Sequence, residues 1–590
     1  MKKIFIFLFF ITLSSYSQSF DYERTWATYF GDDSIRITGS DIDNNGNIFL
    51  VGFVNKFNFS PDDSNFTTTT SSHQPNFGGG ISDGFIVKIN PEGNIVWSTF
   101  FGGEDADYIT NIKIDNNNDL CILGQTSSTQ NIATSNAYQT SNVGIASFLS
   151  KFSNDGQLLW STYYDDYIGV NIAPHHYSEL NHFGHYLDID SSNNIYFAFR
   201  TGTEGLATTA AYQTIKNQPN GANLISKFTA TGQRVWATYY GVNGSSIFGL
   251  CIGNDGLYLS GSSLDCIPVY SPNTFFATSG SHQPLPGSCR DIFLSKFSLD
   301  GDRIWSTYYG NNSPERINDN SIVAFGDSVY LTATSFNQGG LTTLGSFQET
   351  NPTTISQEII FFVKFNSMGA RQWGTFYGYE GNSSRFSRVS KDTNGNIFLS
   401  GITDYLQNIS STGSFQEVKN NSFDAFVAKF SPTGERQWGT YYGGNGYERE
   451  NIKPLIYNDS FYITGSTDSM DNIATTDSFQ PTYATNNYQS PWPSNFFMAK
   501  FDPLPLSINQ NNENQFAFYP NPTNGVLNIV FQNDIDQIDL YSVDGKKIKL
   551  SIQYDFQQAQ LDASALANGI YILVLTDKDN KVQKQKFVKK

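Results

Sequence analysis

The stretch KFSPTGERQWGTYYGG, residues 429–444, sets a lysine, a proline–glycine turn, a tryptophan, two tyrosines and two glycines within sixteen positions. Weaker copies precede it: KINPEGNIVWSTFFGG, KFSNDGQLLWSTYYDD, KFTATGQRVWATYYGV, KFSLDGDRIWSTYYGN and KFNSMGARQWGTFYGY. Such self-similarity marks a repeat architecture, and it has to be read before any single element. Trp26, Trp97, Trp160, Trp236, Trp305, Trp373 and Trp438 follow one another at spacings of 71, 63, 76, 69, 68 and 65 residues, and only Trp492 falls outside the series.

Each repeat reads as four strands. In the sixth copy they are RFSRVSK from 385 (A), NIFLSGI from 396 (B), DAFVAKF from 424 (C) and ERQWGTYY from 435 (D). DTNGN joins A to B and SPTG joins C to D, short connections carrying the residues that tight hairpin turns require. Gly93, Gly156, Gly232, Gly301, Gly369 and Gly434 hold the C-to-D turn in six copies; the seventh reads KFDPLP and has no D strand after it. The missing strand stands at the other end of the chain, where RTWATYFG (24–31) has no A, B or C before it. The pattern therefore predicts an all-β fold, a seven-bladed β-propeller of four-stranded blades over residues 18–502, with the N-terminal strand completing the last blade so that no sheet edge stays open.

Within strand D, Trp438, Thr440 and Tyr442 alternate with Gly439 and Tyr441. The tryptophans are expected in the core, with the small residue after each making room for a neighbouring sheet. Lys88, Lys151, Lys227, Lys296, Lys364, Lys429 and Lys500 recur near the end of strand C. They are read as structural, laying their stems on apolar surface and reaching water near a turn, rather than as a basic ligand ring.

The first eighteen residues, MKKIFIFLFFITLSSYSQ, join two lysines, an apolar run and small residues at Ser15 and Ser17. They read as a signal peptide over 1–17, with the mature chain starting at Gln18. No later apolar stretch approaches the roughly 20 residues of a membrane-crossing helix. The composition, with 33 Tyr, 49 Phe and 50 Gly in 590 residues, suits an extracellular all-β protein. The net charge of −18 belongs to the repeat region, since the last 77 residues carry nine Lys against eight Asp; nucleic acid is not an expected partner. Four cysteines are too few for a disulfide framework in a chain this long. Cys121 and Cys251 lie in apolar strand patterns and read as buried thiols, while Cys266 and Cys289 are the pair that could close one loop.

The repeat resembles the SBBP family of bacterial β-propeller repeats, carried by GNIFLVGF, SDGFIVKINPEGNIVWSTFFGG and the SFQ at 346–348. The resemblance covers roughly residues 20–502. The third and fifth copies depart from it at NNIYFAFR and DSVYLTAT, which lack the glycine after strand B. A polar linker, 503–513, leads to residues 514–590, where YPNPTNG, YSVDGK and LANGIYIL closely resemble the type A C-terminal sorting domain of the type IX secretion system, a small β-sandwich on exported proteins of Bacteroidetes. The resemblance implies passage to the periplasm, translocation by the type IX machinery to the outside or the cell surface, and removal of the sorting domain.

Activity has to be sought on the propeller. Its B-to-C connections, such as VNKFNFSPDDSNFTTTTSSHQPNFGGGIS, are long and polar, and on a rigid scaffold such loops are expected to bind ligand. The alternative is that they are spacers around a recurrent [S/A]-[F/Y/H]-Q turn. The D-to-A connections hold Asp32, Asp33, Glu104, Asp105, Asp107, Asp165, Asp166, Glu315, Glu380, Glu448 and Glu450, read as solvated loop acids rather than as a cation-attracting rim. DIDNNG (41–46) opens like a calcium loop but has no Glu at the twelfth position, and is read as a turn. His175, His176, His182 and His185 crowd into the longest D-to-A connection and, with Asp165 and Asp166, form the candidate site for a divalent cation such as zinc or copper. No organic cofactor is implied. No nucleophile elbow, phosphate-binding loop or catalytic Cys–His pair occurs, and no catalytic residue is assigned. Two functions remain: a non-catalytic binding or adhesion module for an extracellular glycan or protein, which is favoured, and a polymer-degrading enzyme with its site on the long-loop face. An enzyme should gather acids and histidines in one loop cluster, whereas an adhesive module should spread aromatics around its rim.

Overall fold

The computed structural model describes residues 20–590 apart from 57–65, 168–184, 218–220, 243, 265–273, 289, 319–320, 337–338, 352–357, 379–383, 421–422, 450–451, 486–493, 505–515, 532–534, 544, 550, 556 and 579–581. The chain divides into two units, Met1–Pro503 and Leu504–Lys590.

In the first unit the repeats fold into antiparallel sheets in the order A-B-C-D. The first sheet is Ile35–Ile42, Ile48–Asn55, Ser82–Ile89 and Ile95–Phe101. The second runs from Asp107–Ile114 to Leu158–Tyr167, the third from Tyr186–Ile189 to Arg234–Tyr240, and the fourth from Ser246–Gly253 to Arg303–Tyr309. In the fifth, strand A is split into Glu315–Arg316 and Ile322–Phe325, and strand D is Arg371–Tyr377. The sixth runs from Ser384–Lys391 to Arg436–Tyr442. In the last sheet, Lys453–Tyr457, Ser460–Thr467 and Asn495–Pro503 are completed by Tyr22–Phe30, whose partners run from Tyr22↔Pro503 to Phe30↔Phe496. The A strands of successive sheets touch one another in sequence, and that of the last touches that of the first, so A is the innermost strand of a ring.

The split in the fifth sheet has a cause in strand B. Four sheets carry a bulge in strand A, at Ile37/Gly39, Ile109/Asn111, Ile247/Gly249 and Arg385/Arg388. In the first three of these a strand-B glycine (Gly52, Gly124, Gly261) faces the bulge so closely that a Cβ would collide with a strand-A carbonyl oxygen. The third and fifth sheets have Phe199 and Ala333 at that position of strand B instead. There strand A begins only at Tyr186↔Ala198, one pair short of Phe199, or is broken opposite Ala333.

The repeated string builds the contacts between sheets. Strand-C lysine and strand-D tryptophan are register partners in every sheet, Lys88↔Trp97 through Lys500↔Trp26, and so project from one face. The indole N–H donates to a carbonyl in the C-to-D turn of the next sheet: Trp26 to Pro91, Trp97 to Asn154, Trp160 to Ala230, Trp236 to Leu299, Trp305 to Ser367 and Trp373 to Pro432, at 2.9–3.2 Å. Lys88, Lys227, Lys296 and Lys364 donate to the same carbonyl as their tryptophan. Each turn glycine has positive φ and lies against the preceding sheet's indole, where a Cβ would stand about 3 Å from the ring carbons. Trp438 has no following C-to-D turn; it packs instead against Phe20 and Tyr22, contributed by the N-terminal segment.

The expectation that the lysines reach water is corrected in part: Lys88, Lys151 and Lys296 are buried, and the other four are half-buried. Six of them lie over a strand-B ring, Lys429 above Phe398 at 5.2 Å for example, and Lys151 pairs with Asp115 at 2.7 Å. The small residue after tryptophan does make room for a neighbouring sheet, since a Cβ on Gly439 would stand 2.7 Å from the Tyr377 hydroxyl of the preceding one. It also admits the sheet's own B-to-C loop, because a Cβ on Gly374 or Gly439 would strike the carbonyl of Leu341 or Ile409.

The second unit is a β-sandwich. One sheet orders Phe516–Tyr519, Val526–Phe531, Gln558–Asp562 and Ile552–Asp555; the other orders Lys547–Ile548, Ile535–Ser542, Gly569–Asp577 and Val582–Lys589. Leu527, Ile529, Leu561, Leu540, Leu573 and Phe587 share its core.

Gly434→Ala should destabilise the ring by roughly 2–4 kcal/mol in chemical denaturation, adding overpacking against Trp373 to the positive-φ cost. Gly413→Ala, at φ 77° with nothing within 4 Å, should cost only about 1 kcal/mol. Deleting residues 19–31 should lower the melting temperature of the ring, because the exposed edge of Asn495–Pro503 loses its partner.

Candidate functional site

The long B-to-C loops are not free. In all seven sheets the amide of a loop glutamine (Gln74, Gln139, Gln213, Gln283, Gln348, Gln416, Gln480) donates to the strand-D threonine hydroxyl at 2.8–3.0 Å. Its carbonyl accepts the next strand-D amide. The loop thus lies along the outer edge of its own sheet. The residue before each glutamine is a ring: His73, Tyr138, Tyr212, His282, Phe347, Phe415 and Phe479. Tyr138, Tyr212, Phe415 and Phe479 are exposed at 40, 37, 38 and 54%, and six of the seven rings meet a strand-C phenylalanine of the following sheet, as Tyr138 meets Phe228 at 5.7 Å. The tyrosine doublet serves both neighbours: Tyr441 donates to Tyr405 of its own loop, Tyr442 to Ile473 of the next.

The A-to-B turns are held by their own carboxylates. Asp43 Oδ1 accepts the amides of Asn45 and Asn47, and Asp115, Asp190 and Asp392 repeat the arrangement. Asp43 in DIDNNG is therefore a turn acid. At the ring centre, Lys113 of the second strand A pairs with Asp188 of the third at 3.3 Å.

The D-to-A acids divide. Glu104 and Asp105 are exposed, while Asp32, Asp33, Asp107, Asp165, Glu315 and Glu448 are buried, which corrects their reading as solvated loop acids. Glu380 and Glu450 lie outside the described residues. Three of the buried acids face a second buried acid at the start of strand C of the preceding sheet: Asp107 with Asp83, Glu315 with Asp291, Glu448 with Asp424. Burial pushes the Asp83 and Asp107 carboxyls up to about 7, Glu448 to about 8 and Glu315 to about 9, with the neighbouring acid's charge adding to the effect for Asp83, Glu315 and Glu448. Sequence periodicity could have found them, since each stands ten residues after a tryptophan.

Of the histidine cluster, His175, His176 and His182 lie outside the described residues. His185 is buried just ahead of strand A of the third sheet. Its Nδ1 lies 2.7 Å from the Thr110 hydroxyl and its Nε2 3.3 Å from that of Ser147, both in the second sheet. Burial lowers its pKa to about 4. Asp165, at φ 79°, takes the Thr201 hydroxyl; Asp166 lies on the same strand, Leu158–Tyr167. Among the described residues no group of three or more His, Cys, Asp and Glu is arranged to hold a metal ion. Cys121 and Cys251 are buried free thiols, and Cys266 and Cys289 lie outside the described residues.

These features define an all-β repeat protein of propeller type with a β-sandwich at its C-terminus. Residues 517–590 match the family of secretion system C-terminal sorting domains. The tail is the address of type IX secretion and engages that machinery, so the protein is delivered to the cell surface or the extracellular space. No helix among the described residues is long and apolar enough to cross a membrane. The chain is 22% identical over 494 residues to an uncharacterized WD repeat-containing protein of Acanthamoeba polyphaga mimivirus, covering 72% of this chain and 34% of that one; it spans about a third of that relative's length. Similar solved structures include the polysaccharide lyase Uly1 (TM-score 0.38, 9% identity, 79% of this chain and 90% of that one) and an ulvan lyase of family PL25 (0.36, 12%, 78% and 97%). The endosialidase of phage phi92 is similar at a TM-score of 0.34 and 10% identity, over 96% of this chain and 87% of that one.

His185 should make stability fall with acid. Its unfolded pKa of about 6.5 exceeds the folded value, so its contribution is full above pH 6.5 and is lost as pH falls through 4. Urea denaturation at pH 7 and pH 4 should show the unsubstituted chain losing on the order of 3 kcal/mol more than His185→Gln over that interval.

Proposed function

We propose that the exported chain is a seven-bladed, SBBP-type propeller that serves as a non-catalytic binding or adhesion module for an extracellular glycan or protein. The observation that carries this reading is the distribution of partly exposed rings, one per repeat around the circumference, with His73, Tyr138, Tyr212, His282, Phe415 and Phe479 exposed and Phe347 half-buried. Flat aromatic faces beside polar glutamines suit stacking on sugar rings or packing on apolar side chains, and repetition converts weak single contacts into avidity. The acids with raised pKa, by contrast, are buried between sheets where a polymer chain does not reach them.

The test is a glycan and protein array probed with the purified chain, alongside a screen for polymer cleavage. Substituting Tyr138, Tyr212, Phe415 and Phe479 together by Ser should lower binding at least tenfold with the fold retained. Cleavage products that survive these substitutions would favour the alternative, a polymer-degrading enzyme on the long-loop face. Removing residues 514–590 should abolish delivery to the outside in a host with type IX secretion, and leave the melting of the ring unchanged.

A further inference from the structure

The three buried acid pairs share a geometry that the binding reading does not use. In each, a strand-C acid is fixed by its own loop: Asp83 by Gln74 and the Gly78 amide, Asp291 by Gln283 and the Gly287 amide, Asp424 by Gln416 and the Asn420 amide. Its partner is fixed by the following sheet: Asp107 by Ser128, Glu315 by Ser335, Glu448 by Thr467 and Ser469. Between the two stands a glycine, five residues after the tryptophan, at 102, 310 and 443.

A Cβ on Gly102 would lie 2.8 Å from Asp107 Oδ2 and 2.9 Å from Asp83 Oδ1. On Gly310 it would lie 2.7 Å from Asp291 Oδ2 and closer still to Glu315 Oε2; on Gly443, 2.8 Å from the Asp424 carboxyl carbon and closer still to Glu448 Oε2. Both carboxylates therefore flank one point that only a glycine leaves open. Oxygens at these gaps are also unsatisfied: Asp83 Oδ1, Glu315 Oε2 and Glu448 Oε2 are buried and have no hydrogen-bond partner. Asp83, Asp107, Asp291, Glu315 and Glu448 form no ion pair with Lys or Arg among the described residues. Paired buried acids with orphaned oxygens are costly unless something positive lies between them.

We propose that these three gaps are divalent-cation sites that tie the first sheet to the second, the fourth to the fifth and the sixth to the last, and that the ion is Ca²⁺. The donors are all oxygen, which selects a hard cation over zinc or copper. Ca²⁺ bridges two carboxylates with contacts of about 2.3–2.6 Å and completes its shell with carbonyls and water. A site of two acids belongs to the weak extracellular class, with Kd of roughly 10⁻⁴–10⁻³ M, which suits a protein delivered outside the cell.

The test uses the full chain freed of metal with EDTA. Adding CaCl2 to about tenfold above that Kd should raise the melting temperature by several degrees over NaCl of equal ionic strength, and equilibrium dialysis should retain about three Ca²⁺ per chain. Asp107→Asn, Glu315→Gln and Glu448→Gln should each lower retention by about one ion, and the triple variant should lose the thermal response. Glu104→Gln, in the exposed part of the same connection as Asp107, should change neither. No Ca²⁺ retained by the unsubstituted chain, or a thermal response kept by the triple variant, would overturn the proposal.

Discussion

One carbonyl in each C-to-D turn supports the ring. It receives the indole N–H of the preceding sheet and, in four sheets, the lysine ammonium beside it. A lysine and a tryptophan facing each other across a hairpin would otherwise bury a charge and a donor without compensation. The geometry works because the turn offers its carbonyl outward and its glycine offers no side chain. In six of the sheets the tryptophan is therefore half of a contact whose other half is the C-to-D turn of the same string one repeat later. An error in one copy is felt at two interfaces.

The same economy governs the outer edge. A four-stranded sheet ends in a strand with unpaired amides and carbonyls, an invitation to associate. Here each B-to-C loop turns back and binds that edge through its glutamine and the strand-D threonine. The described parts of the loops that length and polarity marked for ligand binding are largely committed to this task. Among the described residues they present outward the ring before the glutamine, clasped on one side by the next sheet's phenylalanine and in several cases capped by an arginine, as Arg234 caps Tyr138 at 4.8 Å.

The tryptophan period, the hairpins and the transferred D strand were legible because they rest on local spacing. The environment of the polar groups was not. Lys88 reads as a surface residue because its partner Asn154 is 66 positions away. Glu315 and Glu448 read as loop acids because burial is imposed by a glycine gap and by loops of two different sheets. His185 reads as part of a polar connection, yet the hydroxyls that hold it belong to the previous repeat. The departures at Phe199 and Ala333 were visible as missing glycines, while their effect, a shortened or broken strand A, required knowing that strand B faces a bulge.

The pairing of Tyr22 with Pro503 joins positions 481 residues apart. In loop-entropy terms the distance is inexpensive: relative to a loop of one repeat, it costs only about 2 kcal/mol more, because the penalty grows with the logarithm of length. Time is affected more than free energy. The first strand of the chain cannot find its place until the last three have formed, so topology makes this the slowest class of contact. Until then the segment around Trp26 is an unpaired, aromatic strand, and the interval before it docks is when the chain is most exposed to pairing with the wrong edge.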